Sequence, residues 1–338
     1  MSLGFGLLSA QLRPGETDWS RAYDETIRLA VEAERLGLSS IWTTEHHFVD
    51  DGYMPSLALV SGAIAAVTRT IEIGTGVILA PLHHPIRLAE DAATVSLLSG
   101  GRFTLGLGLG WSEIEFEGFG ADMKKRGAAM EETLSILRKS WAGQPFRHQG
   151  DVYDLPDLAV RPTPSTPIQI LIGGGAEPAI RRAARLADGI FSNVSPRKFL
   201  TQLGWIRDEC ERVGRDPSGL RVVHYAVILP GVSTEDAWAR YTEHLWHMTW
   251  KYEDMEASAT RPGPPPPPPE LTVGRRTALV RRFTVAGSSQ EIVSELLELR
   301  DRAEMPVEFV ARSHFPTLRY EDQVELMQQL AEEVAPHL

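Results

Sequence analysis

The sequence predicts an α/β protein with a (β/α)8 TIM barrel that has insertions after the fourth and seventh strands. Two observations lead to this prediction: short β-like segments alternate with longer amphipathic ones, and the β-like segments number eight. Alternation of this kind is typical of parallel sheets, and a closed barrel takes roughly 250 residues before insertions. A chain of 338 residues leaves room for both insertions.

The strands are predicted from runs of apolar and β-branched residues bounded by turn residues. In chain order they are Leu3–Leu8, Ser40–Thr44, Ile71–Leu79, Phe103–Leu109, Ile168–Ile172, Gly189–Ser192, Arg221–Leu229 and Val307–Ala311. Helices are predicted between them where apolar residues recur at helical spacing, as in Arg21–Leu36 and Arg126–Trp141.

Composition marks the two insertions. Residues 143–167 are rich in proline and polar residues, and residues 256–275 contain the unbroken run Pro264–Pro269. That run predicts either a stiff polyproline II spacer in a surface loop or a lid over the barrel mouth, because long loops after barrel strands often cover active sites. We expect residues 1–338 to form a single domain.

Charge and composition exclude several kinds of partner. The net charge of -11 gives no electrostatic case for binding to nucleic acid or to an anionic membrane. No segment approaches the roughly 18 consecutive apolar residues of a membrane helix. The single cysteine, Cys210, excludes an internal disulfide and suits a reducing compartment, so we expect a cytoplasmic protein.

Three of the predicted strands carry glycine at every second position. The glycines are Gly4 and Gly6, Gly74 and Gly76, and Gly106, Gly108 and Gly110. Residues two apart share a face of a strand, so each strand presents one side with almost no side chains. Glycine inside a strand often marks the close approach of a ligand or of another backbone. We therefore expect room for something flat against these strands.

The carboxyl ends of barrel strands are where binding and catalytic residues lie. The fifth predicted strand ends in Gly173-Gly174-Gly175-Ala176, directly before the predicted helix Glu177–Leu186. Backbone N–H groups at a helix start form an anion site, so this end predicts binding of a cofactor phosphate, with a plain flexible loop as the alternative. The GxGxG spacing of residues 106–110 and the absence of a GK[ST] sequence do not favour a dinucleotide fold or a P-loop.

Histidines follow two neighbouring predicted strands, with His46 and His47 after the second and His83 and His84 after the third. Paired histidines beside a carboxylate suit zinc, but adjacent residues of a strand point to opposite faces, so His46 and His47 cannot both face the mouth. We therefore expect no metal site. His46 is the candidate catalytic residue, and Glu45 is expected to point away and to orient either His47 or a backbone group.

Short segments of the sequence also carry a family pattern. They are Glu34–Gly37, Glu45–Phe48, Ile73–Gly76, His84–Pro85, Glu90–Asp91, Ser99–Phe103, Gly108–Trp111 and Pro167–Gly189. Together they resemble the bacterial luciferase-like flavin monooxygenases over roughly residues 1–195. The resemblance implies a barrel that binds FMN at its mouth, where reduced flavin and O2 give a C4a-hydroperoxide that oxidises a small organic substrate.

The resemblance implies roles for individual residues. His46 matches the family's active-site histidine, a proton donor or acceptor near the flavin. The residues implied in cofactor binding are Gly76, Val77, Gly108, Gly110, Trp111, Gly174, Gly175 and Ala176. Among them, Gly76 and Val77 match a third-strand bulge that commonly holds a non-prolyl cis peptide. Gly108 and Gly110 would clear space for the isoalloxazine ring.

The chain departs from bacterial luciferase on the fourth strand. Where luciferase has a cysteine followed by an arginine, this chain has Gly108 and Leu109. The phosphate contact of that arginine is therefore missing, and we expect Arg181 or Arg182 to balance the phosphate charge instead. The same loss does not favour light emission or an aldehyde substrate.

Two other functions stay open on the sequence alone. One is a deazaflavin-dependent dehydrogenase on the same fold, although those relatives tend to carry an Asp-His pair where this chain has Glu45-His46-His47. The other is a non-catalytic flavin-binding protein. The partners that the resemblance implies are O2, a small organic substrate, an NAD(P)H-dependent flavin reductase and a second copy of the chain. The copies would meet through the helices after the second and third strands.

Overall fold

Eight parallel strands close into a barrel in the computed structural model of the protein, which describes residues 3–280 and 284–338. Numbered in chain order, the described residues contain twelve strands, eight of which form the barrel. They are β1 (Leu3–Leu8), β2 (Ser40–Thr43), β3 (Glu72–Thr75), β4 (Ile78–Leu79), β5 (Phe103–Gly108), β6 (Phe146–Gln149), β7 (Asp154–Leu158), β8 (Gln169–Gly173), β9 (Gly189–Ser192), β10 (Arg221–Pro230), β11 (Thr284–Gly287) and β12 (Glu308–Arg312). Around the barrel the order is β1, β2, β3, β5, β8, β9, β10 and β12, and β12 pairs with β1 to close the ring. The predicted fold class is confirmed.

Helices connect successive strands. They are α1 (Trp19–Arg35), α2 (Leu57–Val67), α3 (Pro85–Ser99), α4 (Glu113–Phe119), α5 (Arg126–Trp141), α6 (Glu177–Leu186), α7 (Pro196–Val213), α8 (Thr234–Ser258), α9 (Val273–Val280), α10 (Ser289–Ala303) and α11 (Tyr320–Gln329). Shorter helical turns span Ala80–Leu82, Met123–Lys125, Pro217–Gly219, Leu330–Val334 and Ala335–His337. Among the described residues, no helix has the length and apolar character needed to cross a membrane.

The third predicted strand is interrupted where a bulge was expected. It divides into β3 and β4, and a cis peptide bond joins Gly76 to Val77 in the gap between them. The insertion at residues 143–167 contains β6 and β7, which pair as an antiparallel hairpin that the sequence did not predict. A further strand, β11, extends the sheet beside β10. The assignment of residues 1–338 to a single domain stays a prediction.

The proline run of the second insertion is attached to the barrel at two points. The carbonyl of Pro265 accepts a hydrogen bond from the backbone N–H of Gly15, and the carbonyl of Pro269 accepts one from Nε1 of Trp246. Of the two interpretations of the proline run, these contacts favour the fixed spacer and not the mobile lid.

Two hydrophobic clusters lie on the two sides of the sheet. The larger one packs outward-facing strand residues such as Phe5, Ile41 and Ile73 against the helices. The smaller one fills the barrel interior and includes Trp42 and Phe191. The two cores are separate because alternate side chains of a strand point to opposite faces of the sheet. On the inward face, several positions of β1 and β3 are glycine.

Trp42 explains why those inward positions are glycine. Its fully buried indole stacks on Phe191, with ring centroids 4.5 Å apart, and donates to Oγ of Ser40 at 2.9 Å. A Cβ added to Gly74 would lie 2.3 Å from the indole, and one added to Gly6 would lie 2.9 Å from Cβ of Trp42. These glycines therefore make room for the protein's own indole ring, which corrects the expectation of room for a flat ligand at this level of the barrel.

Candidate active site

A cleft of about 520 Å³ opens at the carboxyl ends of the barrel strands. Its volume falls within the roughly 300–1,000 Å³ that is usual for small-molecule sites. All nine residues selected from the sequence line it: His46, Gly76, Val77, Gly108, Gly110, Trp111, Gly174, Gly175 and Ala176. The cleft also includes side chains that the sequence did not indicate.

His46 follows β2 and is held by a buried carboxylate. Its Nδ1 lies 3.0 Å from Oε1 of Glu115, a residue of α4 that is only 1% exposed. The same oxygen accepts the backbone N–H of His47 at 2.9 Å. Because a carboxylate only accepts hydrogen bonds, this contact fixes the proton on Nδ1. Within residues 3–280 and 284–338, Nε2 forms no hydrogen bond, so it is the ring nitrogen available for chemistry.

Aromatic side chains surround the imidazole. The ring of Tyr53 meets His46 edge-on at a centroid distance of 4.8 Å, Tyr252 does so at 5.4 Å, and Trp111 lies at 6.0 Å. The hydroxyls of Tyr53 and Tyr252 are 3.0 Å apart and share a hydrogen bond. This enclosure limits the access of water to His46 from the side of the tyrosines.

Glu45 contacts two other histidines, and the expected contact with His47 is present. The expectation that Glu45 points away from the mouth is not met, because β2 ends at Thr43, so strand parity no longer applies, and Glu45 lines the cleft beside His46. Its Oε1 accepts hydrogen bonds from Nε2 of His47 at 2.8 Å and from Nε2 of His83 at 2.9 Å. Burial alone would raise the pKa of Glu45, but these two hydrogen bonds outweigh it and lower the pKa below its usual value. The possible metal-ligating atoms of Glu45, His47 and His83 lie within 4.8 Å of one another, a spacing that also suits a metal ion. The expectation of no metal therefore stays a prediction.

The β8 end of the cleft presents backbone groups. Helix α6 begins after Ala176, which has no side-chain acceptor to cap the free N–H groups of the first turn. The carbonyl of Gly174 is turned toward Gln202, whose Nε2 donates to it at 3.3 Å. At the helix start Pro178 has no N–H, and the N–H of Ala179 donates to the carbonyl of Ala176 at 3.1 Å. Within the described residues, the N–H groups that remain available to an anion are those of Gly175, Ala176 and Glu177.

A lysine that the sequence did not single out lies beside this loop. A Cβ added to Gly175 would be 3.7 Å from Nζ of Lys198, and in the described part of the chain Lys198 forms no ion pair. The expected cations are already engaged, because Arg181 pairs with Glu177 at 2.7 Å and Arg182 pairs with Glu131 at 2.9 Å. Lys198 thus replaces them as the cation of the loop.

The side chain of Val77 occupies the space beside two glycines. A Cβ on Gly108 would lie 2.4 Å from Cγ2 of Val77, and one on Gly173 would lie 2.7 Å from Cγ1. Gly108 therefore clears space for the Val77 side chain, which itself lines the cleft, and not for a ligand directly. Gly110 has φ of +75°, a left-handed conformation that favours glycine.

Two cleft residues come from distant parts of the chain. Arg312 is the last residue of β12, and its Nη2 donates to the hydroxyl of Tyr252 at 2.8 Å. Tyr252 belongs to α8, in the region where the family pattern is weakest. Arg312 could have been noticed because it directly follows the predicted strand Val307–Ala311. For Tyr252 the sequence predicts only that residues 243–275 help to form the substrate pocket, without singling out this tyrosine.

A buried ion cluster fixes Tyr252 in the site. Lys251, 1% exposed, contacts Asp50 and lies 3.2 Å from Asp254. Arg261 bridges the same two carboxylates, at 2.5 Å and 2.7 Å. These contacts join the loop after β2 to helix α8 beside the imidazole of His46.

The family model of the luciferase-like monooxygenases matches residues 3–303. The chain belongs to this family. The luciferase-like monooxygenases are oxidoreductases, and the protein is therefore an oxidoreductase. The match extends well beyond the segments that carried the resemblance in the sequence.

Two relatives show the chemical range of the luciferase-like monooxygenases. The chain is 33% identical over 144 residues to the oxygenase component of the flavin-dependent trigonelline monooxygenase of Acinetobacter baylyi, which covers 42% of this chain and 40% of that protein. It is 31% identical over 172 residues to the F420-dependent glucose-6-phosphate dehydrogenase of Amycolatopsis mediterranei, covering 49% and 52%. The chain spans about half the length of the curated relatives it matches.

Solved structures of luciferase-like monooxygenases share the fold over the whole chain. The crystal structure of monooxygenase RslO1 from Streptomyces bottropensis superposes with a TM-score of 0.83 and 21% identity, covering 100% of this chain and 99% of that one. The similarity shows the shared barrel.

Proposed function

We propose that the protein is an FMN-dependent monooxygenase. With reduced FMN and O2 it would place one oxygen atom on a small organic substrate and release the other as water, while FMN returns to its oxidised form. The observation that supports this most is the combination, in one cleft, of a backbone anion site with a histidine oriented by a buried carboxylate.

The residues present fit FMN. The start of α6 with Gly174, Gly175 and Ala176 would hold the phosphate, and Lys198 would balance its charge. The remainder of the predicted set lines the part of the cleft that would take the ring: Gly76, Val77, Gly108, Gly110 and Trp111. When bound, reduced FMN supplies the electrons that activate O2.

His46 would move the proton. Since Glu115 holds Nδ1–H, the ring accepts or donates a proton at Nε2. Tyr53, Tyr252 and Trp111 would exclude water from this side of the cleft, which protects a reactive oxygen species from hydrolysis.

A deazaflavin-dependent dehydrogenase is the second candidate. The relative from Amycolatopsis mediterranei is named an F420-dependent dehydrogenase, and the same barrel serves both cofactors in this family. A non-catalytic flavin-binding protein would use the same loop but would not need the His46–Glu115 pair.

Titration separates these candidates. Quenching of tryptophan fluorescence is measured as the purified protein is titrated with FMN and, separately, with F420. We expect FMN to bind at least about tenfold more tightly, which corresponds to about 1.4 kcal/mol. Selective binding of F420 would overturn the cofactor assignment. FMN binding without O2-dependent turnover on any substrate of a chemically diverse panel would favour the flavin-binding protein.

We also propose two partners. The relative from Acinetobacter baylyi is named an oxygenase component, which supports a separate NAD(P)H-dependent flavin reductase as the source of reduced FMN here. Helices α2 and α3 expose Leu59 (78%) and Leu98 (58%), which supports a homodimer through these helices. Light scattering on the purified protein tests the dimer. A cytoplasmic location remains part of the proposal.

A further inference from the structure

Arg312 is a cation in the cleft without a counter-ion. Arg312 lines the cleft at the end of β12, and among the described residues its guanidinium makes one hydrogen bond, the 2.8 Å contact with the hydroxyl of Tyr252. A guanidinium has five N–H donors, so most of its capacity is unused. Within the two described ranges, 3–280 and 284–338, Arg312 forms no ion pair with a carboxylate.

Two other cations, the buried Lys251 and the half-buried Arg221, have carboxylate partners. Lys251 lies between Asp50 and Asp254 in the cluster beside the site. Arg221, at the opposite end of the barrel, is held by Glu72 and Glu308, each at 2.6 Å. Withdrawing a charge from water is costly unless an opposite charge meets it. Half-buried Arg102 has no carboxylate partner either, but its guanidinium donates to four backbone carbonyls. Within the described ranges, the guanidinium of Arg312 has only the hydroxyl of Tyr252 as a partner, and Arg312 lines the cleft, which points to an anion that comes from outside the chain.

The neighbouring phenols do not neutralise Arg312. Burial raises the pKa of Tyr225 to about 12 and holds the pKa of Tyr53 well above its usual value. Both phenols therefore stay protonated and uncharged at physiological pH. They leave the positive charge of the guanidinium uncompensated.

The position of Arg312 separates it from the phosphate loop. In the ring of eight strands, β8 stands opposite β1, while β12 and β2 flank β1 on its two sides. Arg312 and His46 therefore lie together, across the mouth from Gly174–Ala176. Tyr252 joins them, because its hydroxyl contacts Arg312 and its ring meets the imidazole at 5.4 Å.

We propose that Arg312, supported by Tyr252, is an anion subsite that binds a planar anionic group next to His46. The forked guanidinium matches a carboxylate in two parallel hydrogen bonds. The group belongs to the organic substrate, which would make the substrate a carboxylate; the anionic ring of reduced FMN is the other source of the same chemistry. The assignment of the anion to a substrate rests on the proposed function, whereas the subsite itself does not.

The test uses benzoate and benzamide, which have nearly the same shape but differ in charge. Binding of each to the purified, flavin-free protein is measured by calorimetry, for the wild type, Arg312→Met and Arg312→Lys. We expect the wild type to prefer benzoate by at least about tenfold, Arg312→Met to lose that preference, and Arg312→Lys to keep part of it. Exposed Lys139→Met is the control for a lost positive charge.

A second arm identifies the source of the anion. Binding of oxidised and reduced FMN is compared anaerobically in the wild type and in Arg312→Met. A selective loss of reduced FMN, at least about tenfold, would confirm the subsite and assign it to the flavin. Equal or absent binding of both aromatic probes by the wild type, together with equal binding of reduced FMN by the variant, would overturn the proposal. The comparison of benzoate with benzamide needs neither FMN nor turnover, so it tests the subsite even if the proposed function is wrong. Its wild-type measurement also remains informative if Arg312→Met does not fold.

Discussion

The two ends of the cleft are built from different chemistry. At the β8 end, Gly174, Gly175 and Ala176 line the cleft directly before the start of α6, and Lys198 adds one exposed cation. At the other end, the side chains of His46, Glu115 and Arg312 meet from separate strands and helices. The backbone end depends on local conformation, while the side-chain end depends on buried charges held by tertiary contacts. Substitutions should therefore affect the two ends to different extents.

Removing the imidazole should have the largest effect. His46→Ala deletes the group that moves a proton in the side-chain end, so turnover should fall by about 10²–10⁴-fold, while the affinity for FMN changes little. Oxygen uptake with reduced FMN and an accepted substrate measures the first, and fluorescence titration measures the second. The exposed histidine variant His337→Ala should behave as the wild type. Undiminished turnover of His46→Ala would remove His46 from the catalytic role.

Breaking the ion cluster tests whether buried charges hold the side-chain end in place. Lys251→Met leaves Asp50 and Asp254 with one cation fewer in a buried setting, which should cost about 3–5 kcal/mol of unfolding free energy. Urea denaturation measures the loss. Lys139→Met, at an exposed position, should change the unfolding free energy by less than about 0.5 kcal/mol. Equal stability of the two variants would show that the cluster does not stabilise the fold.

A further buried carboxylate beside this cluster, Asp51, lies 3.9 Å from Nζ of Lys251 and should make stability depend on pH. Burial raises the pKa of Asp51 from 3.8 to about 6, despite the opposing charge of Lys251. A pKa that is higher in the folded state adds stability below about pH 4, and this contribution is lost as the pH rises through about 6. The loss amounts to about 3 kcal/mol at most.

Replacing Asp51 removes this titration. The stability of Asp51→Asn relative to the wild type should therefore increase between pH 4 and pH 7, as measured by urea denaturation across that range. The exposed variant Asp24→Asn is the control and should follow the wild-type curve. Parallel curves for Asp51→Asn and the wild type would contradict the assignment.

The smallest effect is expected at the backbone end. Lys198→Ala removes one exposed cation near the phosphate loop, so the affinity for FMN should fall by about tenfold. Riboflavin lacks the phosphate, and its affinity should not change. Lys139→Ala has the same loss of charge away from the loop and should leave both affinities unchanged. An equal loss for FMN and riboflavin would mean that Lys198 acts on something other than the phosphate.

The contrast between the two ends also explains what the sequence could predict. The proposed phosphate loop lies in four consecutive residues before a helix start. The alternation of adjacent side chains separated His46 from His47 as the candidate for the mouth. Local patterns of this kind survive folding because they depend on neighbours in the chain. The barrel was predictable for the same reason, since the alternation of strands and helices is a local pattern repeated along the chain.

Local sequence patterns could not predict contacts between residues that are distant in the chain and meet only in the folded protein. Glu115 reaches His46 from α4, and Tyr252 reaches it from α8, so no spacing in the sequence relates either residue to the imidazole. The sequence correctly indicated that the glycines make room for another group. The groups that use this space are the side chains of Trp42 and Val77. A close-packing argument identifies a place where something must fit; only the fold shows whether a side chain or a ligand fills it.

The most direct test of the proposed function is the reaction of protein-bound reduced FMN with O2. The anaerobic complex is mixed with oxygenated buffer in a stopped-flow spectrophotometer, and flavin absorbance is followed in the wild type and in His46→Ala. The proposed monooxygenase predicts a transient spectrum, distinct from reduced and from oxidised FMN, whose decay an accepted substrate accelerates in the wild type. Direct conversion of reduced to oxidised FMN in one step, at the rate of free flavin and without any effect of substrate, would contradict it.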